Sequence, residues 1–287
     1  MKNKIKILVE LTKLRITLFV TVTTAFGFIS YAGGFTLVII PTVIGILLLA
    51  CGSAVINHYQ ERATDALMDR TKNRPIPAGK ITPPAALTVA VVLIITGSIV
   101  LFFGSGWLAM VLSLLNLIWY NGIYTPLKKV NPLAIIPGSI VGAIPPAVGW
   151  VAAGGSLLDP QLSILAFFFF IWQIPHFWLL LLVFDKDYEK AGFPTLTKIF
   201  NHQQLARITF IWIIATVVTS FLIPLFGIVN SQWINIGLLA AGVWLCWDSI
   251  NLLRQSDGKI SFKFAFMHIN YFALSVVLLL SIDKLVI

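Results

Sequence analysis

The chain has 287 residues, 58% of them hydrophobic and only 11% charged, with a mean hydropathy of +0.93. Soluble domains run about 45–50% apolar and about 25% charged, so the solvent for this chain is largely lipid. The formal net charge of +9 then reads as a membrane-topology signal. A nucleic-acid binder would need a soluble basic surface, and no nucleic-acid partner is expected.

A basic, amphipathic lead containing Lys2, Lys4, Lys6, Lys13 and Arg15 enters the first of nine apolar segments. These lie at about 16–32, 36–56, 86–103, 107–123, 132–152, 162–183, 208–226, 233–250 and 264–282. Each approaches the roughly 20 residues that a spanning helix needs. The apolar runs are continuous rather than alternating, which argues against a transmembrane barrel. The basic start and the small residues near 32–34 share features with a secretory signal. The length of the basic lead favours a retained first span. The expected fold is therefore an all-α membrane protein, read as one domain over residues 1–287.

The joints alternate in character. YAGG (31–34), FGSG (103–106) and AAGGSLLDPQ (152–161) are short and Gly-rich, whereas 57–85, 124–131, 184–207 and 251–263 are longer and basic. With the N-terminus inside, nineteen of the twenty Lys and Arg lie on the cytoplasmic side and only Lys284 outside. That bias predicts a cytoplasmic N-terminus and an external C-terminus. Cys51 and Cys246 both lie in apolar segments without a CxxC motif and are expected in the core.

The second segment runs into NHYQERATDALMDRTKNRP (57–75). Asn57, Glu61, Asp65 and Asp69 recur every four residues, which on a helix keeps neighbours on one face. Like charges stacked at the end of a membrane segment repel and are costly to desolvate. Arg62, Arg70 and Arg74 are available as counter-cations, and so is a divalent metal. Ligands that are all oxygen suit Mg²⁺, which commonly bridges one or two carboxylates to substrate phosphates, while Arg70 and Arg74 suit phosphate itself. A solvated loop that merely anchors topology is the plainer alternative.

Farther along, YTPLKKVNP (124–132) brings Lys128 and Lys129 to the same side, as phosphate contacts or as plain topology residues. The sixth segment carries FFFFIWQIPHFW, where Pro175 frees a backbone carbonyl and His176 is an ionisable group inside a membrane helix. A functional contact and a hydrogen bond within the bundle are both open to His176. His58 has the same two-sided character, as a substrate contact or a headgroup-facing residue. His202 and His268 are weaker candidates, and Asp248 reads as interfacial charge. The aromatic run 167–172 reads as packing or lipid contact. A second acidic loop, VFDKDYEKAGFPT (183–195), offers Asp185, Asp187 and Glu189. Two acidic loops on one side suit two metal ions holding one diphosphate.

NxxxExxxD at Asn57, Glu61 and Asp65, followed by RTKNRP, resembles the first motif of the UbiA superfamily of membrane prenyltransferases. The usual form is NxxxDxxxD, so Glu61 is a departure. The loop at 183–195 resembles the second Asp-rich motif in reduced form. YTPLKK, GSIVGAIPPAVGW (138–150), WQIPHFWLLLL (172–182) and DYEKAGFPTL (187–196) are similar to the branch that farnesylates heme B, with GFPTL in place of a more usual GxPML. The resemblance spans about residues 12–283.

It implies nine transmembrane helices around a central cavity open to the cytoplasmic side, in a prokaryotic cell membrane. The implied reaction is a Mg²⁺-dependent transfer of farnesyl from farnesyl diphosphate to a vinyl group of heme B. It implies Asn57, Glu61, Asp65, Asp185 and Asp187 as metal ligands, with Arg70, Arg74 and Lys128 on the diphosphate. His176, His58 and Tyr124 fall on the heme side. Other heme-modifying proteins and terminal-oxidase assembly proteins are the implied partners. Two rivals remain: a related enzyme with a quinone-precursor, chlorophyllide or lipid acceptor, and a secondary transporter. Transporter ion sites tend to lie near the membrane midplane, whereas nearly all the acids here lie at one edge.

Overall fold

The computed structural model describes residues 2–254 and 262–286, so part of the basic joint at 251–263, Lys259 included, lies outside the described residues. Among the described residues the regular structure is helical throughout. A surface helix α1 (Lys2–Leu11) precedes nine helices long and apolar enough to cross a membrane: α2 (Leu14–Ala32), α3 (Ile39–Asp65), α4 (Pro83–Ser105), α5 (Trp107–Leu127), α6 (Pro132–Ala152), α7 (Pro160–Val183), then, after the short α8 (Asp185–Lys190), α9 (His202–Leu225), α10 (Gln232–Arg254) and α11 (Phe262–Val286).

Local chemistry sets the helix ends. Thr82 accepts from the Ala85 N–H ahead of Pro83 and Pro84, which suits a helix start because the first-turn N–H groups have no partner anyway. Asn201 and Gln204 form a reciprocal capping box on α9. On the opposite side of the bundle, the fully buried Asp283 accepts from the backbone N–H groups of Asn230 and Ser231 at 2.9–3.2 Å and so closes the start of α10. Asp283→Ala strands those donors and should lower stability by about 2 kcal/mol, read as a drop in the unfolding midpoint of the purified protein in detergent.

One end differs from the sequence expectation. The second span does not stop near residue 56 but continues to Asp65, giving 27 residues or about 40 Å, well beyond a hydrocarbon core of about 30 Å. The polar residues on that extension, Asn57, His58, Glu61 and Asp65, are buried in protein rather than water. The helix ends before Asp69, which therefore leaves the predicted face. It is exposed and pairs with Lys72 at 2.9 Å and with Lys190.

The helices pack in sequence-adjacent pairs and across the bundle: α3 lies along α4, α2 against α6, and α7 against α9 and α11. The two halves are held differently. In the second half one large cluster runs through Phe168, Phe169, Trp178, Ile213, Leu238 and Phe272. In the first half, backbones meet. A Cβ on Gly97 would lie 2.8 Å from the Gly45 carbonyl oxygen, and one on Gly149 would overlap the Thr24 carbonyl.

Candidate active site

The extension of α3 presents Asn57, Glu61 and Asp65 on one face, as the four-residue spacing predicts, and each meets a cation. The Lys13 ammonium donates to Asn57 Oδ1 at 2.6 Å. Lys128 lies 2.5 Å from Glu61 Oε1. Arg74 Nη1 spans both oxygens of Asp65 at 2.8 Å. Three side-chain cations thus surround two carboxylates and one amide. Of the arginines expected to balance the acids, only Arg74 does so. Arg62 turns back onto the Tyr59 carbonyl and ring, and Arg70 lies over the Phe184 ring at 4.5 Å.

Lys13 carries the signs of a constrained group. It joins α1 to α2 at φ +49°, the sole non-glycine residue with positive φ among those described, a conformation that costs free energy outside glycine. Burial, with Arg74 nearby, pulls its ammonium down to about 7. Burial also acts to lower Lys128, but Glu61 and the surrounding tyrosines outweigh it and hold that ammonium above its ordinary range. In the sequence Lys13 looks like one more topology residue, and only the tertiary contact 44 positions away separates it from its neighbours.

A π-helical turn at Trp119–Tyr124 supports the same face from α5. The wider backbone turn, a feature frequent at functional sites, turns Asn121, Tyr124 and Thr125 inward. Asn121 exchanges hydrogen bonds with Ser53 and Gln60, and Thr125 accepts from Asn57 Nδ2 at 3.2 Å. These contacts hold the amide oxygen of Asn57 toward Lys13. Tyr124 is buried beside Lys128, whose Nζ lies 5.3 Å from its ring centroid.

The two acidic segments do meet, and of the expected ligands Asp187 takes part, though on a backbone N–H and not on the α3 carboxylates. The Arg70 N–H donates to Asp187 at 3.2 Å, and Lys190 pairs with Asp69; the contacts with Lys190 and Lys72 hold the Asp69 carboxyl down at about 2. Asp185 instead accepts from Thr197 Oγ1 at 2.9 and 3.0 Å, and burial raises its carboxyl above the ordinary range. Among the described residues no three His, Cys, Asp or Glu side chains stand together as a ligand group. The donors on α3 are nonetheless of a kind that fits Mg²⁺: hard oxygens from two carboxylates and an amide, few enough to leave positions for phosphate and water.

The aromatic side of the site continues from Tyr124. Its ring stacks on Phe177 with centroids 5.1 Å apart and planes within 4°. Phe177 adjoins its chain neighbour His176 at 5.7 Å, so Glu61, Lys128, Tyr124, Phe177 and His176 form one chain of contacts from the charged edge into the bundle. His176 Nδ1 lies 2.7 Å from Asn270 Oδ1 on α11. His58 does not face headgroups. It is 1% exposed, and neither ring nitrogen has a hydrogen-bond partner among the described residues, a costly state for a polar group. His202 is exposed at the start of α9. His268 pairs with Asp248 at 2.5 Å, so that aspartate is not a simple interfacial charge. Phe168, Phe169 and Trp172 are packed core and only Phe167 is largely exposed.

Known proteins resemble this chain over most of its length. The UbiA prenyltransferase family profile matches residues 18–270. A protoheme IX farnesyltransferase of Oleidesulfovibrio alaskensis is 33% identical over 277 residues, 96% of each chain, and one of Cytophaga hutchinsonii is 34% identical over 90% of each. Among solved structures, that of a digeranylgeranylglyceryl phosphate synthase superimposes with a TM-score of 0.80 at 16% identity over the whole of both chains. A UbiA homologue from Archaeoglobus fulgidus bound to GPP and Mg²⁺ gives 0.66 at 12% identity over 96% of each. With the family profile spanning most of its length and full-length relatives at a third identity, the chain belongs to the UbiA prenyltransferase family.

Proposed function

We propose that this protein transfers the farnesyl group of farnesyl diphosphate to a vinyl group of heme B, releasing diphosphate and forming heme O. The observation that carries the proposal is the chain of contacts from the Asn57–Glu61–Asp65 face through Lys128, Tyr124 and Phe177 to His176, which suits a substrate pair charged at one end and aromatic at the other. The names of the full-length relatives point the same way.

Asn57, Glu61 and Asp65 would hold Mg²⁺ on α3, with Asp185 and Asp187 contributing from the facing loop. Bound there, the metal would neutralise charge on the diphosphate. The residues around it have distinct tasks. Lys128 and Arg74, seated on Glu61 and Asp65, supply positive charge where the leaving oxygen gains electrons, and Arg70, beside Asp187 on the facing loop, adds a third cation for the diphosphate. The allylic C–O bond breaks with its electron pair going to diphosphate. The vinyl π pair of heme B forms the new C–C bond, and water captures the resulting cation with loss of a proton, giving the hydroxyethylfarnesyl group. No side-chain nucleophile is required. Tyr124, Phe177 and Trp172 wall the reacting carbons from bulk water, which would otherwise hydrolyse the farnesyl cation. His176 contacts the heme, and His58, buried with neither ring nitrogen partnered among the described residues, is a second candidate for that contact. The same assignment makes other heme-modifying proteins and terminal-oxidase assembly proteins the partners that take the product.

The deciding experiment incubates purified protein with heme B, farnesyl diphosphate and Mg²⁺ and measures the mass of the heme product. A gain of one farnesyl group plus one hydroxyl group is expected. Unchanged heme with consumption of a quinone precursor, chlorophyllide or lipid acceptor would assign a related transferase, and no diphosphate release would end the proposal.

The proposal also places the protein in a prokaryotic cell membrane with its N-terminus in the cytoplasm and its C-terminus outside, because nine spans and the Lys and Arg bias agree. Reporter fusions at the two ends should report opposite sides. Both ends on one side would mean a miscounted span.

A further inference from the structure

His176 has a supporting residue that no sequence motif marks. Asn270 lies on α11, 94 residues away, and bridges two groups. Its Nδ2 donates to the Phe266 carbonyl one turn earlier at 2.5 Å, and its Oδ1 meets His176 Nδ1 at 2.7 Å. The backbone carbonyl is only an acceptor, so it settles which end of the amide faces it. Oδ1 is then the atom left for the imidazole. Two acceptors cannot share a hydrogen bond, so Nδ1 carries the proton. In the neutral ring that leaves Nε2 unprotonated, with its lone pair directed away from α11.

Three aromatic rings flank the imidazole. Trp172, Phe266 and Phe177 lie 5.0, 5.2 and 5.7 Å from the imidazole centroid. The ring is part-exposed, and Nε2 has no hydrogen-bond partner among the described residues. One turn earlier on α7, the Trp172 Nε1–H is buried and also without a partner among the described residues. The open imidazole lone pair beside these rings is the group that a metal macrocycle would take.

We propose that Asn270 is a positioning residue: by holding His176 in the Nδ1–H tautomer it presents Nε2 as the axial ligand to the iron of heme B. The inference rests on the heme-accepting activity proposed above. The physical reason is general. A histidine that ligates iron through one nitrogen gains basicity and a fixed ring plane from an acceptor on the other, and losing that acceptor typically costs 10- to 100-fold in metal affinity.

The test uses the full chain in detergent, with heme B and a non-hydrolysable farnesyl diphosphate analogue titrated separately into wild type, His176→Ala, Asn270→Leu and Asn270→Asp. Asn270→Leu removes the acceptor and should weaken heme binding roughly tenfold or more, with a shifted Soret band. Asn270→Asp restores an acceptor, and a stronger one, so heme affinity should recover. The iron–imidazole stretching frequency of the ferrous complex should rank Asp above wild type and wild type above Leu, an order that a purely structural role would not produce. Affinity for the diphosphate analogue should be unchanged throughout, which also shows that the variants are folded.

Wild-type heme affinity and frequency in Asn270→Leu would overturn the proposal. So would parallel loss of both ligands without rescue by Asp, which would make Asn270 a brace for the bundle. An unshifted Soret band in His176→Ala would place the ligand elsewhere and overturn it too, leaving the proposed activity standing as long as the farnesylated heme still forms. A wild-type protein that neither binds heme nor forms that product would end both.

Discussion

Asp65→Asn should lower turnover by about 10³-fold, the upper range for deleting one preorganised electrostatic contact to a transition state. The substitution keeps the side-chain volume and one hydrogen bond to Arg74, so packing at the end of α3 is preserved. It removes one of the two carboxylates on the α3 face, where Lys13, Lys128 and Arg74 already supply three cations. Metal affinity, and with it neutralisation of the leaving diphosphate, should fall. Arg74 keeps a side-chain exposure of 21%, so water softens the loss of its partner. The measurement is kcat of the purified variant with both substrates, beside its helicity by circular dichroism. Wild-type kcat in folded Asp65→Asn would remove this aspartate from the chemistry.

Gly149→Ala carries the largest expected cost in stability. Gly149 lies where α6 crosses α2, and an added methyl would run into the Thr24 carbonyl and the Phe28 N–H, both backbone groups without rotamers to relieve the overlap. Gly27 stands in the same relation to Pro146 across the crossing. The two helices would have to separate, at about 3 kcal/mol, the high end for an overpacked core. Thermal unfolding in detergent would show this as a lowered midpoint. Gly34→Ala is the control, because a Cβ there meets nothing within 4 Å. Equal midpoints for the two variants would show that the crossing gives way easily.

The spans were legible because about 20 continuous apolar residues have few options in lipid other than a helix. Their ends were less so. Hydropathy assigns Asn57 to Asp65 to water, yet these residues lie on a buried helical extension, since Lys13, Lys128 and Arg74 supply partners that composition cannot reveal. The spacing of Asn57, Glu61 and Asp65 foretold their common face, and it failed for Asp69 because the helix ends at Asp65. His176 was visible as an ionisable residue beside a proline within a span. Asn270 was not, because an amide in the last span gains its meaning from a partner 94 residues earlier.

The contrast between the two halves of the bundle bears on how the chain tolerates genetic drift. In the half built around Phe168, Phe272 and their neighbours, one aliphatic or aromatic residue can replace another while the summed volume stays close, and rotamers absorb the difference. In the half where Gly97 faces the Gly45 carbonyl and Gly149 faces Thr24, the opposing surface is main chain, and even one methyl group has nowhere to go. Substitutions should therefore accumulate as exchanges of shape in the second half and be refused by size in the first. Two diverging lineages could trade segments of α9 to α11 more readily than single residues at the crossings of α2, α3, α4 and α6.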